Sequence, residues 1–311
     1  MDLVERYRGS MLGLAVGDAL GMPIEFSFDE NFKSITDMME SKEFGLKPGQ
    51  WTDDTSLALC LAASIVETGK FLPQDQMERY LRWYKTGYMS SNGTCFDIGN
   101  TTQYALEKFE KTGEPFCGLT DTETAGNGSI MRLAPVPLAF AAKPKVAIDN
   151  AAESSRTTHG ATEAIDACRY LAALIIGAIN GEEKKDILED NYSPVSGMWE
   201  NKPLTENIKK IAKGSFKKKS PPEIRGTGYA VDCLEAALWA FYNSSSYEEG
   251  VLLAVNLGDD ADTTGAVYGQ LAGAFYGASN VPKKWLKKLA HQKLISDLAD
   301  DLLEFSKKQA S

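Results

Sequence analysis

Gly9-Ser10-Met11-Leu12-Gly13-Leu14-Ala15-Val16-Gly17-Asp18-Ala19-Leu20-Gly21 reads as an apolar helix with one bare face, because Gly9, Gly13 and Gly17 recur at the four-residue interval that stacks side chains on one side. A second stretch repeats the pattern with Gly265, Gly269, Gly273 and Gly277. A glycine inside a helix costs about 1 kcal/mol relative to alanine, so two such runs predict close backbone packing. In lipid the spacing would suggest a membrane dimer, but Glu5, Arg6, Arg8 and Asp18 argue against that. Tight packing places both helices, and the carboxylates attached to them, in the middle of the molecule.

Outward from these two stretches the chain keeps the helical period. Amphipathic segments start near Val4, Thr55, Met77, Thr101, Ala147, Thr162, Tyr229, Tyr247, Thr264 and Lys283, while alternating β-branched runs are nearly absent. The breaks are short and carry turn residues, as in Lys47-Pro48-Gly49-Gln50 and Gly113-Glu114-Pro115. The expectation is an all-α, single-domain orthogonal bundle over residues 1–311, with a more polar insertion or looser lobe at about 181–225.

With 311 residues and 43% apolar content the chain can bury a full core. Its net charge of −10 repels polyanions, so no nucleic-acid partner is expected, and the lysines from Lys209 to Lys219 read as a solvated helix end and loop. Cys60, Cys95, Cys117, Cys168 and Cys233 are odd in number and scattered, which fits a reducing compartment. Neither a signal peptide nor a membrane span is read, and the expected location is the cytoplasm.

The strongest chemical signal is a pair of acidic clusters, Trp51-Thr52-Asp53-Asp54-Thr55 and Gly258-Asp259-Asp260-Ala261-Asp262-Thr263-Thr264, each read as standing just before an apolar helix. A single Asp-Thr there is an ordinary N-cap, but five aspartates exceed what two caps need. Adjacent carboxylates on semi-buried ground repel unless a cation lies among them. Oxygen ligands select magnesium, manganese or calcium, and two such clusters can hold a pair of ions about 3.5–4 Å apart. Glu25 follows the first glycine-faced helix as a further ligand, a mobile base or simply a surface acid. His159 and His291, the two histidines of the chain, form no zinc-peptidase or di-iron pattern.

In this order the motifs Gly9–Gly21, Trp51–Thr55, Gly126-Asn127-Gly128-Ser129-Ile130-Met131-Arg132 and Gly258–Thr264 resemble the ADP-ribosylglycohydrolase family, from about Val4 to Gly277. The resemblance implies two Mg2+ or Mn2+ ions held by Thr52, Asp53 and Asp54 from one side and Asp260, Asp262 and Thr263 from the other, with Asp259 as a neighbour. Glu25 matches a glutamate that touches a metal or guards the site in some relatives. Gly93-Thr94-Cys95-Phe96-Asp97-Ile98-Gly99-Asn100-Thr101-Thr102 is similar to the branch that contains the dinitrogenase-reductase-activating glycohydrolase, which acts on ADP-ribosyl-arginine. A carboxylate such as Asp97 can take a guanidinium through two parallel hydrogen bonds.

Asp97 and Glu25 are thus the expected catalytic residues, and Gly99 lies in the same segment as a substrate contact. The turn Gly126, Asn127, Gly128 and Ser129, followed by Met131, would cradle a diphosphate on its backbone N–H groups. The resemblance makes His159 a contact to phosphate or ribose and Tyr229 a ring for adenine, where an ordinary reading gives a capping histidine and a core tyrosine. The ions would bind the ribose 2′- and 3′-hydroxyls beside the scissile bond. The implied partners are an ADP-ribosylated protein as substrate and ADP-ribose as product.

Three other readings compete. An ADP-ribosyl-serine or other O-glycoside hydrolase would share the site. An all-α isoprenoid synthase would need an acid at position 57, where this chain has Leu57. A non-catalytic ADP-ribose binder or crystallin-like relative would lack metal aspartates, all of which are present.

Overall fold

Among the residues that the computed structural model describes (1–25, 34–42 and 45–310), ten helices of nine residues or more form the frame. They are α1 (Leu3–Gly21), α2 (Asp53–Thr68), α3 (Pro73–Thr86), α4 (Asn100–Thr112), α5 (Pro144–Arg156), α6 (Thr162–Asn180), α7 (Ala230–Tyr242), α8 (Tyr247–Val255), α9 (Ala261–Tyr276) and α10 (Gln292–Ala310). Shorter helices and 3-10 turns join them, and no strand occurs among the described residues beyond isolated bridges such as Leu119–His159 and Gly126–Tyr229. None of these helices is long and apolar enough to cross a membrane.

The glycine faces pack on each other, as the spacing predicts. α1 and α9 run antiparallel, and a Cβ on Gly9, Gly13 or Gly17 would stand 2.1, 2.4 or 2.0 Å from the carbonyl oxygen of Gly273, Gly269 or Gly265. Any side chain there would force the helices apart. The ladder continues at Gly21, where a Cβ would lie 2.3 Å from the amide nitrogen of Asp262. Gly277 differs from expectation: its φ of +84° ends α9, so it closes the helix instead of extending the bare face.

Because the pairing is antiparallel, the C-terminal end of α1 meets the N-terminal end of α9. Asp18 and Glu25 are thereby brought to Asp260 and Asp262.

Two boundaries depart from the sequence reading. α2 starts at Asp53 and α9 at Ala261, so Asp53, Asp54 and Asp262 occupy the first helical turn instead of preceding it. Backbone N–H groups at a helix start favour carboxylates, which accounts for the earlier onset. The helix at Lys283 spans only Lys283–Leu286, and the long C-terminal helix begins at Gln292, after His291 with φ of +52°.

Residues 181–225 carry short helices at Lys184–Ile187, Met198–Asn201 and Glu206–Ala212. Their buried Ile187, Met198, Ile208, Ile211 and Phe216 belong to the same hydrophobic cluster as α6 and α7.

Candidate active site

The site begins with a strut. Asp18, fully buried in α1, accepts hydrogen bonds through Oδ1 from the Thr52 amide (2.9 Å) and hydroxyl (3.1 Å), and through Oδ2 from the Thr55 amide (3.0 Å) and hydroxyl (2.6 Å). The Thr52 side chain makes no cap bond of its own, so Asp18 caps α2 from another helix. Burial pushes its carboxyl up to about 6 in spite of these four donors.

On this strut the two acidic clusters meet. The Thr52 hydroxyl lies 3.2 Å from Asp54 Oδ2 and 3.2 Å from Asp262 Oδ2, besides its contact with Asp18. One hydroxyl proton cannot serve three carboxylates, so the remaining oxygens repel one another unless protons or a cation intervene. Asp54 Oδ1 and Glu25 Oε2 are buried with no hydrogen-bond partner. Carboxylate oxygens of Glu25, Asp97 and Asp262 come within 4.8 Å of one another. Unpaired buried oxygens in an all-oxygen set fit a hard divalent cation.

Electrostatics agree. Burial first, then Asp97, Asp260 and Asp53, pushes Glu25 up to about 10. Burial, followed by the neighbouring acids, also raises Asp53, Asp54 and Asp262 well above the carboxylate range, with Arg132 opposing the shift at Asp53. The N-termini of α2 and α9 both point at this cluster and offset part of the repulsion.

A cleft of about 480 Å³ opens above the acids. From the expected set it is lined by Glu25, Asp53, Asp97, Gly99, Gly126, Asn127, Gly128, Met131, His159, Asp260, Asp262 and Thr263. Thr52 and Asp54 lie behind this wall, joined to it through the Thr52 hydroxyl. Asn127 Nδ2 donates to Asp260 Oδ2 (3.0 Å), which ties the glycine turn to the second cluster. Asp97 adopts φ of +56°, an uncommon conformation for a residue with a side chain, at the edge of the cleft.

Three residues sit apart from the cleft. Ser129 faces inward, its hydroxyl accepting from Ser155 (2.8 Å) and near Cys168, so its side chain braces the turn from below. Tyr229 caps α7 beside Gly126, half-buried, with its hydroxyl bonded to Glu163. Asp259 turns toward the exposed Arg225 at 3.7 Å.

Sequence reading passed over Asp18, Arg132 and Thr158. A buried acid within a glycine-faced helix, and an arginine directly after the glycine turn, were the available signals for the first two.

The class so defined is an all-α protein with an acid-lined cleft between two helix N-termini. The chain belongs to the ADP-ribosylglycohydrolase family, whose model matches residues 1–311. It is 42% identical over 301 residues to the ADP-ribosylarginine hydrolase Tri1 of Serratia proteamaculans, covering 97% of this chain and 80% of that one. To the ADP-ribosyl-[dinitrogen reductase] glycohydrolase of Rhodospirillum rubrum it is 30% identical over 289 residues, covering 92% and 90%. A solved structure described as an ADP-ribosylglycohydrolase-related protein complex superposes with a TM-score of 0.85 at 42% identity, covering 98% of this chain and 99% of that one.

Proposed function

We propose that this protein removes ADP-ribose from modified arginine side chains of cytoplasmic proteins, using two Mg2+ or Mn2+ ions held by Thr52, Asp53, Asp54, Asp260, Asp262 and Thr263. The observation that carries the metal reading is the convergence of Asp54 and Asp262 on the Thr52 hydroxyl, with buried carboxylate oxygens left over. The arginine reading is supported by Asp97 and by the 42% identity to an ADP-ribosylarginine hydrolase. When bound, the ions supply positive charge that orients the ribose hydroxyls beside the scissile bond.

The protein's own groups do the rest. The Gly126–Gly128 turn and His159 hold the diphosphate, and the half-buried Tyr229 ring beside Gly126 takes the adenine. Asp97 receives the guanidinium through two parallel hydrogen bonds. Carboxylate oxygens of Asp97 and Glu25 come within 4.8 Å of each other, and two such close carboxyls share a proton, one serving as acid while the other is a base. As the anomeric C–N bond breaks, the acid gives its proton to the leaving guanidine nitrogen. The carboxylate of the pair takes a proton from the water that forms the new C–O bond, and the surrounding acids stabilise the oxocarbenium-like transition state.

Two experiments test this. Turnover of ADP-ribosyl-arginine and ADP-ribosyl-serine peptides is compared with manganese, with magnesium and with chelator, and release of ADP-ribose from the arginine substrate alone, only with metal, is expected. Preference for the serine substrate would transfer the assignment to the O-glycoside hydrolase. Asp260→Ala should lose manganese binding and activity while keeping its helical spectrum, and retained turnover would refute the metal role.

A further inference from the structure

Arg132 is wholly buried, yet it forms no ion pair among the described residues. Its guanidinium lies on the Tyr80 ring, 4.5 Å from the centroid, and its Nε and Nη1 meet no hydrogen-bond acceptor. Nη2 donates to Thr158 Oγ1 at 2.5 Å. A buried cation with no anion in contact is costly, so this one bond asks for an explanation.

A guanidinium keeps its protons and offers no lone pair, so Thr158 is always the acceptor toward Arg132. The same Thr158 oxygen lies 2.8 Å from His159 Nδ1. Its single proton faces a donor on one side and the imidazole on the other, and Nδ1 is the acceptor within reach. Were Nδ1 protonated, the buried hydroxyl proton would have nowhere to go in this contact. Nδ1 therefore accepts and the ring proton sits on Nε2. That edge faces the glycine turn: Nε2 lies 3.1 and 3.4 Å from the points where a Cβ on Gly128 and Gly126 would stand. Burial, and then the neighbouring Arg132, lowers the ring's pKa to about 3, so the ring is neutral.

We infer that Arg132 is a positioning residue: through the Thr158 hydroxyl it holds His159 as the Nε2–H tautomer, which presents a hydrogen-bond donor to an oxyanion seated on the Gly126–Gly128 turn. The ligand half of this inference rests on the diphosphate reading above; the tautomer half does not. An Nδ1–H ring would turn a lone pair toward the oxyanion and repel it.

The test is a long-range nitrogen-15 spectrum of the imidazoles, simple here because the chain has two histidines and His291→Gln removes one. In the wild-type protein His159 should show an unprotonated Nδ1 and a protonated Nε2, and ADP-ribose should move the Nε2 resonance. Thr158→Val, which deletes the hydroxyl at similar volume, should yield a mixture of tautomers, weaken ADP-ribose binding about 10-fold and raise KM with kcat largely kept. Arg132→Met should behave alike, and Arg132→Lys, still an obligate donor, should restore the tautomer. If Arg132→Met does not fold, the wild-type and Thr158→Val spectra decide. A protonated Nδ1 in the wild type overturns the inference, as does a Thr158→Val protein with unchanged tautomer and affinity. ADP-ribose binding that leaves Nε2 unmoved overturns the ligand half. An Nε2–H ring in a protein that binds no ADP-ribose would uphold the relay and sink the diphosphate reading instead.

Discussion

Asp18 holds Thr55 at two points, its Oδ2 accepting from the amide at 3.0 Å and from the hydroxyl at 2.6 Å, across 37 residues of chain. The first turn of α2, and with it Thr52 and Asp54, hangs from this carboxylate. Asp18→Ala should therefore destabilise the protein by about 2 kcal/mol or more, since hydrogen bonds to a charged group carry about 1.5–3 kcal/mol each, while buried-charge relief offsets part. Manganese binding should weaken at least roughly 10-fold as the ligands lose register. Denaturant unfolding in chelator and titration calorimetry measure the two effects, and wild-type manganese affinity in this variant would show that the strut is dispensable.

The glycine ladder makes a second prediction. Gly17→Ala gains about 1 kcal/mol of helix propensity, but its methyl would stand 2.0 Å from Gly265 O. Overpacking costs about 1–3 kcal/mol where the core can shift and more where backbone meets backbone, so a net loss in urea stability is expected. Because α1 and α9 carry Asp18 and Asp262, activity should fall together with stability. A stabilised Gly17→Ala protein would contradict the close approach.

Stability should depend on pH in the sense opposite to that of salt-bridged acids. The folded-state pKa values of Asp18 (about 6) and Glu25 (about 10) lie above their ordinary values, and those of Asp53, Asp54 and Asp262 are raised as well. In chelator the folded state thus holds more protons than the unfolded one above about pH 4, and stability falls as pH rises. For Asp18 the loss is complete above about pH 6 and is on the order of 3 kcal/mol, at 1.36 kcal/mol per unit; for Glu25 it continues toward pH 10. Divalent ions should flatten the slope, with a stabilisation that grows with pH as protons are displaced. Thermal melts from pH 5 to 9, with chelator and with magnesium, read this directly, and a metal-free melting point that climbs with pH would contradict it.

Gly128→Ala probes the floor of the cleft. Its methyl would lie 2.7 Å from His159 Cε1, so the ring must move away from the turn. We expect ADP-ribose affinity to drop by about 10- to 100-fold, equivalent to about 1.4–2.8 kcal/mol, with little change in melting temperature. Affinity and melting temperature falling in proportion would assign Gly128 to packing alone.

Much of the fold was legible because helical period, glycine spacing and turn residues are local properties. The sequence reading placed starts near Val4, Thr162 and Tyr247 close to those observed at Leu3, Thr162 and Tyr247. The helices expected to start near Thr55 and Thr264 begin two and three residues earlier, at Asp53 and Ala261, since apolar periodicity becomes visible only at Leu57 and Ala266, after the polar first turn has begun. α10 went unread as a separate helix because no proline or glycine marks the break near His291.

What the residues determine by themselves is the chemistry on offer: oxygen donors in two clusters, a glycine turn, one carboxylate at Asp97 and helices able to approach closely. Such properties belong to single side chains and their near neighbours. Only the tertiary structure decided that α1 runs antiparallel to α9, that Asp18 serves α2 instead of its own helix, that Ser129 faces inward, and that Arg132 reaches His159 through Thr158. Each of these depends on the direction a side chain takes once distant helices have packed, and that direction is set by contacts between segments far apart in the chain.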